Sequence, residues 1–143
     1  MEDKKWPEGI KWTKQRKDIF EVLHRAKKPL SAHDIYQEIL KDSMVDKANF
    51  AISTVYRSLT IFEEKGLVEK SILLGSDTAV YELTEGKHKH YAVCLSCHKL
   101  VPLKHCPFEH VEHDHMESEE GDFFVTGHKL ELYGYCKECT ANQ

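Results

Sequence analysis

The sequence predicts an α+β protein in two parts, an N-terminal winged helix-turn-helix over residues 1–84 and a small α/β domain over residues 85–143. Helical apolar spacing followed by a hairpin pattern fills the first part, whereas all five Cys and eight of the ten His lie in the second. The charge divides in the same place, because residues 1–83 carry no net charge and residues 84–143 carry the whole −4. A length of 143 residues is enough for one ordinary domain or two very small ones.

The first two helices are marked by their ends as well as by their apolar spacing. Apolar residues at helical spacing predict the first helix over 13–25, and Lys28-Pro29 stops it. The segment Ser31-Ala-His-Asp34 has the pattern of a capping box and opens the second helix. The apolar side of this helix consists of Ile35, Ile39 and Leu40.

A third helix is predicted from Ser53, its expected N-cap, to Lys65, with Gly66 as the residue just past its end. Its apolar residues, three or four apart, predict a buried stripe of Val55, Leu59 and Phe62. At about 100° per residue, the outward face then carries Ser53, Arg57, Thr60 and Glu64, with Tyr56 beside them.

Two apolar runs, Leu67–Leu74 and Thr78–Leu83, flank Gly75-Ser-Asp77 and predict a β-hairpin. Helix, capped helix, helix and hairpin is the order of a winged helix-turn-helix. The spacing alone leaves two interpretations open, a DNA-binding module and another small α+β domain. In a DNA-binding module the third helix would lie in the major groove, with contacts from Ser53, Tyr56, Arg57 and Thr60.

The chain from Lys4 to Lys28 carries nine Lys or Arg against three acidic residues. A basic run of this kind is either a solvated face or an arm that meets phosphates, and the net charge of −4 excludes neither, because the positive charge is local. In the second case the phosphates would be neutralised by Lys11, Lys14 and Arg16.

Four cysteines form two CxxC motifs, Cys94-Leu-Ser-Cys97 and Cys136-Lys-Glu-Cys139. Two such turns can direct four thiolates at one ion, and a soft tetrahedral shell favours Zn²⁺ while leaving no position for catalysis. Zinc binding would also supply folding free energy to a part with a modest core. The c-type haem pattern Cys94–His98 requires export, and the opening residues contain no apolar segment typical of a signal peptide. A thioredoxin-like pair would lie in a βαβ unit, which the pattern does not indicate.

Strands are predicted at Tyr91–Cys94 and Leu100–Leu103, on either side of the first CxxC turn. Residues 123–135 form one long extended run that leads to the second turn. Between them, Pro107 suits the first position of a helix that continues to about Glu119.

The histidines of this part suggest a second metal site. His88 and His90 are two residues apart, so on an extended segment they point the same way. With His128 and Glu109 they form a candidate non-structural site. A neighbouring group fits either a further ion or solvated helix positions, and consists of His105, Cys106, His110, His113 and His115.

The sequence resembles the ferric uptake regulator (Fur) family of metal-responsive repressors over nearly its whole length. The motifs that carry the resemblance are Thr13-Lys-Gln-Arg16, Ser31-Ala-His-Asp-Ile-Tyr36, Ser53-Thr-Val-Tyr-Arg-Ser-Leu59, Gly66-Leu-Val68, Tyr81-Glu-Leu83, His88-Lys-His90, Cys94-Leu-Ser-Cys97, Gly127-His128 and Leu132-Tyr-Gly134 before Cys136. The resemblance implies an N-terminal winged-helix domain and a C-terminal α/β dimerisation domain. It also implies that a metal-loaded homodimer binds an AT-rich inverted repeat in double-stranded DNA and blocks transcription.

Residue by residue, the family's structural zinc thiolates match the four CxxC cysteines, and its DNA-contacting tyrosine and arginine match Tyr56 and Arg57. Its regulatory metal site matches His88, His90, Glu109 and His128. Of its hinge site, only Glu82 remains a competent ligand. Glu82 is therefore an additional ligand candidate outside the regulatory set. Cys106 and His110, from the neighbouring group described above, are two others.

Departures from the family pattern bear on the metal. The peroxide-sensing branch needs a hinge histidine and a carboxylate where Pro102 stands, so peroxide sensing is disfavoured. Cys106-Pro107 and the C-terminal tail look similar to the zinc uptake regulator branch, which favours Zn²⁺ as the regulatory ion. The alternatives are an iron- or manganese-responsive regulator of the same architecture and, in another class, a zinc-buffering or delivery protein without a DNA role.

Two further expectations concern membrane spans and enzyme motifs. No apolar run approaches the ~18–20 residues of a membrane span. No HExxH, GxSxG or Cys/His nucleophile arrangement is present in the sequence. We therefore expect a cytoplasmic protein that is not an enzyme and has neither a membrane nor a small-molecule substrate as partner.

Overall fold

The computed structural model describes residues 6–84, 90–107, 115–125 and 128–141, which belong to two compact units, Met1–Lys87 and His88–Gln143. None of the helices in these ranges is long and apolar enough to cross a membrane. The first unit contains α1 (Lys14–Arg25), β1 (Leu30–Ser31), α2 (Ala32–Leu40), α3 (Ile52–Glu64), β2 (Val68–Ile72) and β3 (Ala79–Leu83). The second contains β4 (Tyr91–Cys94), β5 (Leu100–Pro102), β6 (His115–Ser118), β7 (Gly121–Phe124), β8 (Glu131–Gly134) and α4 (Lys137–Ala141).

The predicted capping box of the second helix forms, and the first helix has an N-cap that was not predicted from the sequence. The Thr13 side chain accepts a hydrogen bond from the Arg16 backbone N–H at 3.1 Å and starts α1. At α2, Ser31 Oγ accepts from the Asp34 N–H at 3.0 Å, while the Asp34 carboxylate accepts from the Ser31 N–H at 3.2 Å. These reciprocal bonds satisfy two backbone donors that a helix start otherwise leaves unpaired.

Replacing Ser31 with Ala is expected to lower the free energy of unfolding of the first unit by about 1 kcal/mol, because the Asp34 N–H loses its acceptor. Urea unfolding followed by circular dichroism measures this loss. Ser43→Ala, in the exposed loop after α2, is the control and should leave the midpoint unchanged. Equal midpoints for both variants would show that the cap contributes nothing.

The predicted N-cap of α3 is wrong by two residues. Ala51, extended at φ −109° and ψ 150°, is the N-cap and supplies no side-chain hydrogen bond, so Ser53 lies exposed inside the first turn. The reason lies in packing, because buried Phe50 stacks on Tyr36 with ring centroids 5.7 Å apart and fixes where the chain enters the helix. The predicted end is confirmed: Gly66 has φ +72° and Leu67 N–H donates to the Phe62 carbonyl at 2.8 Å.

The predicted buried stripe of α3 is confirmed, since Val55, Leu59 and Phe62 are all 0% exposed. Their core partners include Ile19 of α1 and Ile35 of α2. Strands β2 and β3 pair antiparallel as predicted, from Val68↔Leu83 to Ile72↔Ala79, and β1 adds on the other side of β3. Three helices on this small sheet, with the β2–β3 hairpin after α3, make the first unit a winged helix.

The second unit has a three-stranded sheet in the order β5-β4-β8 and a separate β6–β7 hairpin. Two predictions fail here. The helix expected from Pro107 to Glu119 is wrong at its end, because 115–118 is strand β6, while residues 108–114 lie outside the described ranges. The single run over 123–135 is wrong as well, because β7 pairs with β6 whereas β8 pairs with β4. Gly121, at φ +107°, closes the tight β6–β7 turn that no helix could continue through.

Candidate metal centres

Sheet topology brings the two CxxC motifs together. Strand β4 ends at Cys94 and its parallel neighbour β8 ends at Gly134, which is the register partner of Cys94. Parallel neighbours end at the same edge of a sheet, so the turn to Cys97 and the segment at Cys136 leave from one place. Cys139 follows as the third residue of helix α4.

The four CxxC sulfurs fit one tetrahedral ion. All of them lie within 4.8 Å of one another, and Cys97 Sγ is 3.8 Å from Cys136 Sγ. Four Zn–S bonds of about 2.3 Å at the corners of a tetrahedron place neighbouring sulfurs about 3.8 Å apart. The four side chains are therefore close enough together to form a ZnS₄ shell, which would be closed to substrate.

Backbone donors prepare this cluster for a cation. Cys94 Sγ accepts hydrogen bonds from the backbone N–H groups of Cys97, at 3.5 Å, and Cys136, at 3.4 Å. These two donors lower the pKa of Cys94 to about 6, because they stabilise its thiolate. The N–H of Cys139 favours the Cys136 thiolate, but desolvation and the neighbouring sulfurs outweigh it and raise the pKa of Cys136. The thiolate form is thus favoured at Cys94, whereas a metal would displace the proton of the Cys136 thiol.

A second cluster joins His90, Cys106 and His128. His90 is 7% exposed and directly precedes β4, where its carbonyl accepts from the Leu103 N–H at 2.9 Å. His90 Nε2 lies 3.1 Å from His128 Nε2, and the two rings are 5.1 Å apart and 25° from parallel. Cys106 Sγ is 3.5 Å from the same His128 nitrogen. All three ligand atoms lie within 4.8 Å of one another, as one metal ion requires.

The predicted ligands therefore have different outcomes. The structure brings together His90 and His128 of the predicted regulatory set, whereas His88, Glu109 and His110 lie outside the described residues. Glu82 stands in β3 opposite Glu69, and within the described part of the chain it belongs to neither cluster. Cys106, only an additional candidate from the sequence, contacts His128 and lies in one cluster with His90. The two strands predicted on either side of the first CxxC turn are the signal that could have placed it there, since their antiparallel pairing returns the chain past His90.

The candidate DNA-binding face of α3 is exposed as predicted, at Ser53, Tyr56, Arg57 and Thr60. Thr60 Oγ1 donates a hydrogen bond to the Tyr56 carbonyl at 2.9 Å. Because its proton is used in this bond, the hydroxyl can act toward a ligand only as a hydrogen-bond acceptor. In the basic arm, Lys11 is exposed, Lys14 pairs with Asp18 at 3.2 Å, and Arg16 Nη1 donates to the Lys11 carbonyl at 2.7 Å. Arg16 thereby also connects the backbone at Lys11 to the first turn of α1.

A winged helix combined with two thiol- and imidazole-rich clusters defines a metal-binding protein of the winged-helix class. The particular family follows from the sequence, because the model of the ferric uptake regulator family matches residues 7–133. The chain belongs to this family of metal-responsive regulators, and the predicted resemblance and α+β fold class are confirmed.

Ferric uptake regulators and a peroxide-responsive repressor are similar to the chain. It is 34% identical over 131 residues to the ferric uptake regulation protein of Campylobacter jejuni, covering 92% of this chain and 80% of that protein. It is 32% identical over 131 residues to the peroxide-responsive repressor PerR of Staphylococcus aureus, covering 92% and 83%. The solved Helicobacter pylori ferric uptake regulator, which has three functional metal binding sites, matches with a TM-score of 0.73 at 25% identity, covering 92% of this chain and 83% of that one.

Proposed function

We propose that this protein is a zinc-responsive transcriptional repressor of the cytoplasm, which binds inverted-repeat operator DNA as a homodimer. Residues 1–84 form the DNA-binding domain, and residues 85–143 form the dimerisation and metal-binding domain. The four CxxC cysteines hold a structural Zn²⁺. A second Zn²⁺, held by His88, His90, Glu109 and His128, reports zinc availability.

The observation that carries the proposal is the 3.1 Å distance between His90 Nε2 and His128 Nε2. Two Zn–N bonds of about 2.0–2.1 Å at a tetrahedral angle place their nitrogens about 3.3 Å apart. The two residues are 38 positions apart in the chain, so an ion between them ties the start of β4 to the segment before β8. Such a link is the physical means by which metal binding changes the conformation of this unit.

Coupling between metal and DNA follows from thermodynamics. A metal that prefers the DNA-binding conformation of the dimer raises DNA affinity, and DNA raises metal affinity by the same factor. In that conformation, the α3 helices of two protomers meet successive major grooves, which inverted repeats one helical turn apart provide. Exposed Arg57 and Tyr56 contact bases or sugar, and Lys11, Lys14 and Arg16 contact phosphates.

One alternative within the family is an iron- or manganese-responsive regulator, and the similarity to a ferric uptake regulation protein favours it. Imidazole and carboxylate ligands accept Fe²⁺ and Mn²⁺ as well as Zn²⁺. A zinc-buffering protein without a DNA role is the alternative outside the family's activity, and it requires that DNA affinity does not respond to any metal.

A DNA-binding titration of metal-depleted protein, with the structural zinc retained, tests the proposal. The probes are duplexes selected from a random pool in separate anaerobic selections with Zn²⁺, Fe²⁺ and Mn²⁺. We expect tight binding at the lowest free concentration for Zn²⁺. Selection and binding only with Fe²⁺ or Mn²⁺ would support the alternative regulator, and binding that responds to no metal would overturn the repressor altogether.

Arg57→Ala is expected to lower operator affinity by about 5–150-fold, which corresponds to the 1–3 kcal/mol of a good bidentate base contact. Metal content and melting temperature should not change, because the Arg57 side chain is exposed. Arg57→Lys is the matched variant: it keeps the charge but loses the fork of donors. Fluorescence anisotropy at fixed salt measures all three proteins, and wild-type affinity for Arg57→Ala would exclude Arg57 from the interface.

A further inference from the structure

Cys106 reaches the second cluster through the pairing of β4 with β5. The register Tyr91↔Pro102 continues by one step, because the Leu103 N–H donates to the His90 carbonyl at 2.9 Å. The chain therefore stays paired with β4 until Leu103, opposite the residue that precedes β4. Half-buried Cys106 lies three residues after Leu103. The backbone of this hairpin thus fixes a thiol beside two imidazoles.

The distances match a mixed nitrogen and sulfur shell. One Zn–S bond of about 2.3 Å and one Zn–N bond of about 2.0–2.1 Å place their two ligand atoms about 3.6 Å apart at a tetrahedral angle. Cys106 Sγ is 3.5 Å from His128 Nε2, and His128 Nε2 is 3.1 Å from His90 Nε2. Two edges of one tetrahedral face thus have the lengths expected around a single ion, and all three atoms lie within 4.8 Å of one another.

We propose that Cys106 is a thiolate ligand of the regulatory metal centre, together with His90 and His128, and that this thiolate makes the centre selective for Zn²⁺ over Fe²⁺ and Mn²⁺. The inference rests on the proposed function, which assigns the two histidines to the sensor. Thiolates prefer thiophilic ions such as Zn²⁺, whereas Mn²⁺ prefers oxygen ligands. A tetrahedral zinc ion takes four ligands, so with Cys106, His90 and His128 bound one position remains for a fourth ligand of the proposed sensor.

Binding is a balanced exchange of a proton for a metal bond. The Cys106 S–H bond breaks, its electron pair forms the bond to Zn²⁺, and the proton leaves to solvent, with no oxidation or reduction. A side chain that only donates its S–H to the His128 imidazole would keep that proton when the metal binds. The two roles therefore differ in whether metal loading removes the Cys106 thiol.

Cobalt loading distinguishes these roles. With zinc retained in the four-cysteine centre, Co²⁺ is added to the second centre and the thiolate-to-cobalt charge-transfer absorption is recorded. We expect this absorption in the wild type and in His105→Ala, which removes the exposed neighbouring imidazole, and its loss in Cys106→Ser. Cys106→Ser should also lower zinc affinity by at least the roughly 10–100-fold that is typical for losing a group that merely supports a ligand, while manganese affinity changes little.

A second measurement uses the wild type alone. Alkylation with iodoacetamide, mapped by peptide mass, should modify Cys106 in protein without the second ion and spare it when that ion is present. Charge-transfer absorption in Cys106→Ser equal to the wild type, or equal alkylation with and without zinc, would overturn the inference.

DNA binding in the same samples separates the two hypotheses. If operator affinity responds to zinc but the cobalt spectrum and zinc affinity ignore Cys106, the inference fails and the proposed repressor stands. If the spectrum shows the thiolate while operator affinity ignores zinc, the repressor fails and the mixed-ligand site stands.

Discussion

Replacing Cys94 with Ser is expected to remove one zinc ion per chain and to unfold the second unit. Cys94 is only 3% exposed, ends β4 and accepts two backbone N–H bonds, so its sulfur connects both CxxC segments. A serine hydroxyl is a poor zinc ligand at neutral pH, and structural zinc binding contributes about 10–16 kcal/mol in small zinc domains.

The described part of the second unit has few buried apolar side chains that could stabilise its fold. The hydrophobic core cluster found among the described residues lies entirely in the first unit, between Ile10 and Tyr81. In the described part of the second unit, the buried side chains are His90, Val93 and Cys94. Many of its large apolar side chains, such as Phe124 at 74%, are exposed. We therefore expect zinc to supply a large share of the folding free energy of this unit.

Zinc content by mass spectrometry and hydrogen exchange of β4 and β8 measure the effect. Leu95→Ala is the matched control, because it lies in the same turn, is 42% exposed and offers no metal ligand. It should keep the zinc and the slow exchange of both strands. Protected β4 and β8 amides in a zinc-free Cys94→Ser protein would show that the unit folds without the metal.

His128→Ala is expected to abolish the response of DNA affinity to zinc. The imidazole of His128 lies within 3.1 Å of His90 Nε2 and 3.5 Å of Cys106 Sγ, so its loss removes the ligand that both others contact. The zinc-loaded variant should then bind operator DNA with the same affinity as the metal-depleted wild type. The variant would thus lose the increase in DNA affinity, typically about 5–150-fold, that such coupling produces.

Anisotropy titrations against free Zn²⁺ give the coupling for each protein, and calorimetry gives its melting temperature. Lys129→Ala changes the exposed neighbour and should behave as the wild type. His88→Ala tests the predicted ligand that lies outside the described residues. If zinc dependence persists in both histidine variants, the sensor has been assigned to the wrong residues.

The sequence was a reliable guide where structure depends on neighbours in the chain. The capping box of Ser31 and Asp34 and the left-handed Gly66 were predicted because each involves a few successive residues. The start of α3 was missed because Phe50 and Tyr36, which decide it, are 14 residues apart.

The second unit shows the same limit more clearly. Apolar alternation over 123–135 indicates extended chain, but not which strand it joins. β7 and β8 take different partners, and β6 replaces the end of a predicted helix, because pairing depends on contacts across the fold. Strand identity is local, whereas strand pairing is not.

For the metal centres, the sequence by itself determined the four-cysteine set, because a CxxC turn fixes two sulfurs toward one point and the chain contains two such turns. It also identified His90 and His128 as candidate ligands. Only the tertiary structure decided that Cys106 joins them, since their separation depends on the β4–β5 and β4–β8 registers. Sulfurs three residues apart are positioned by local turn geometry, whereas ligands 22 or 38 residues apart are positioned by the sheet.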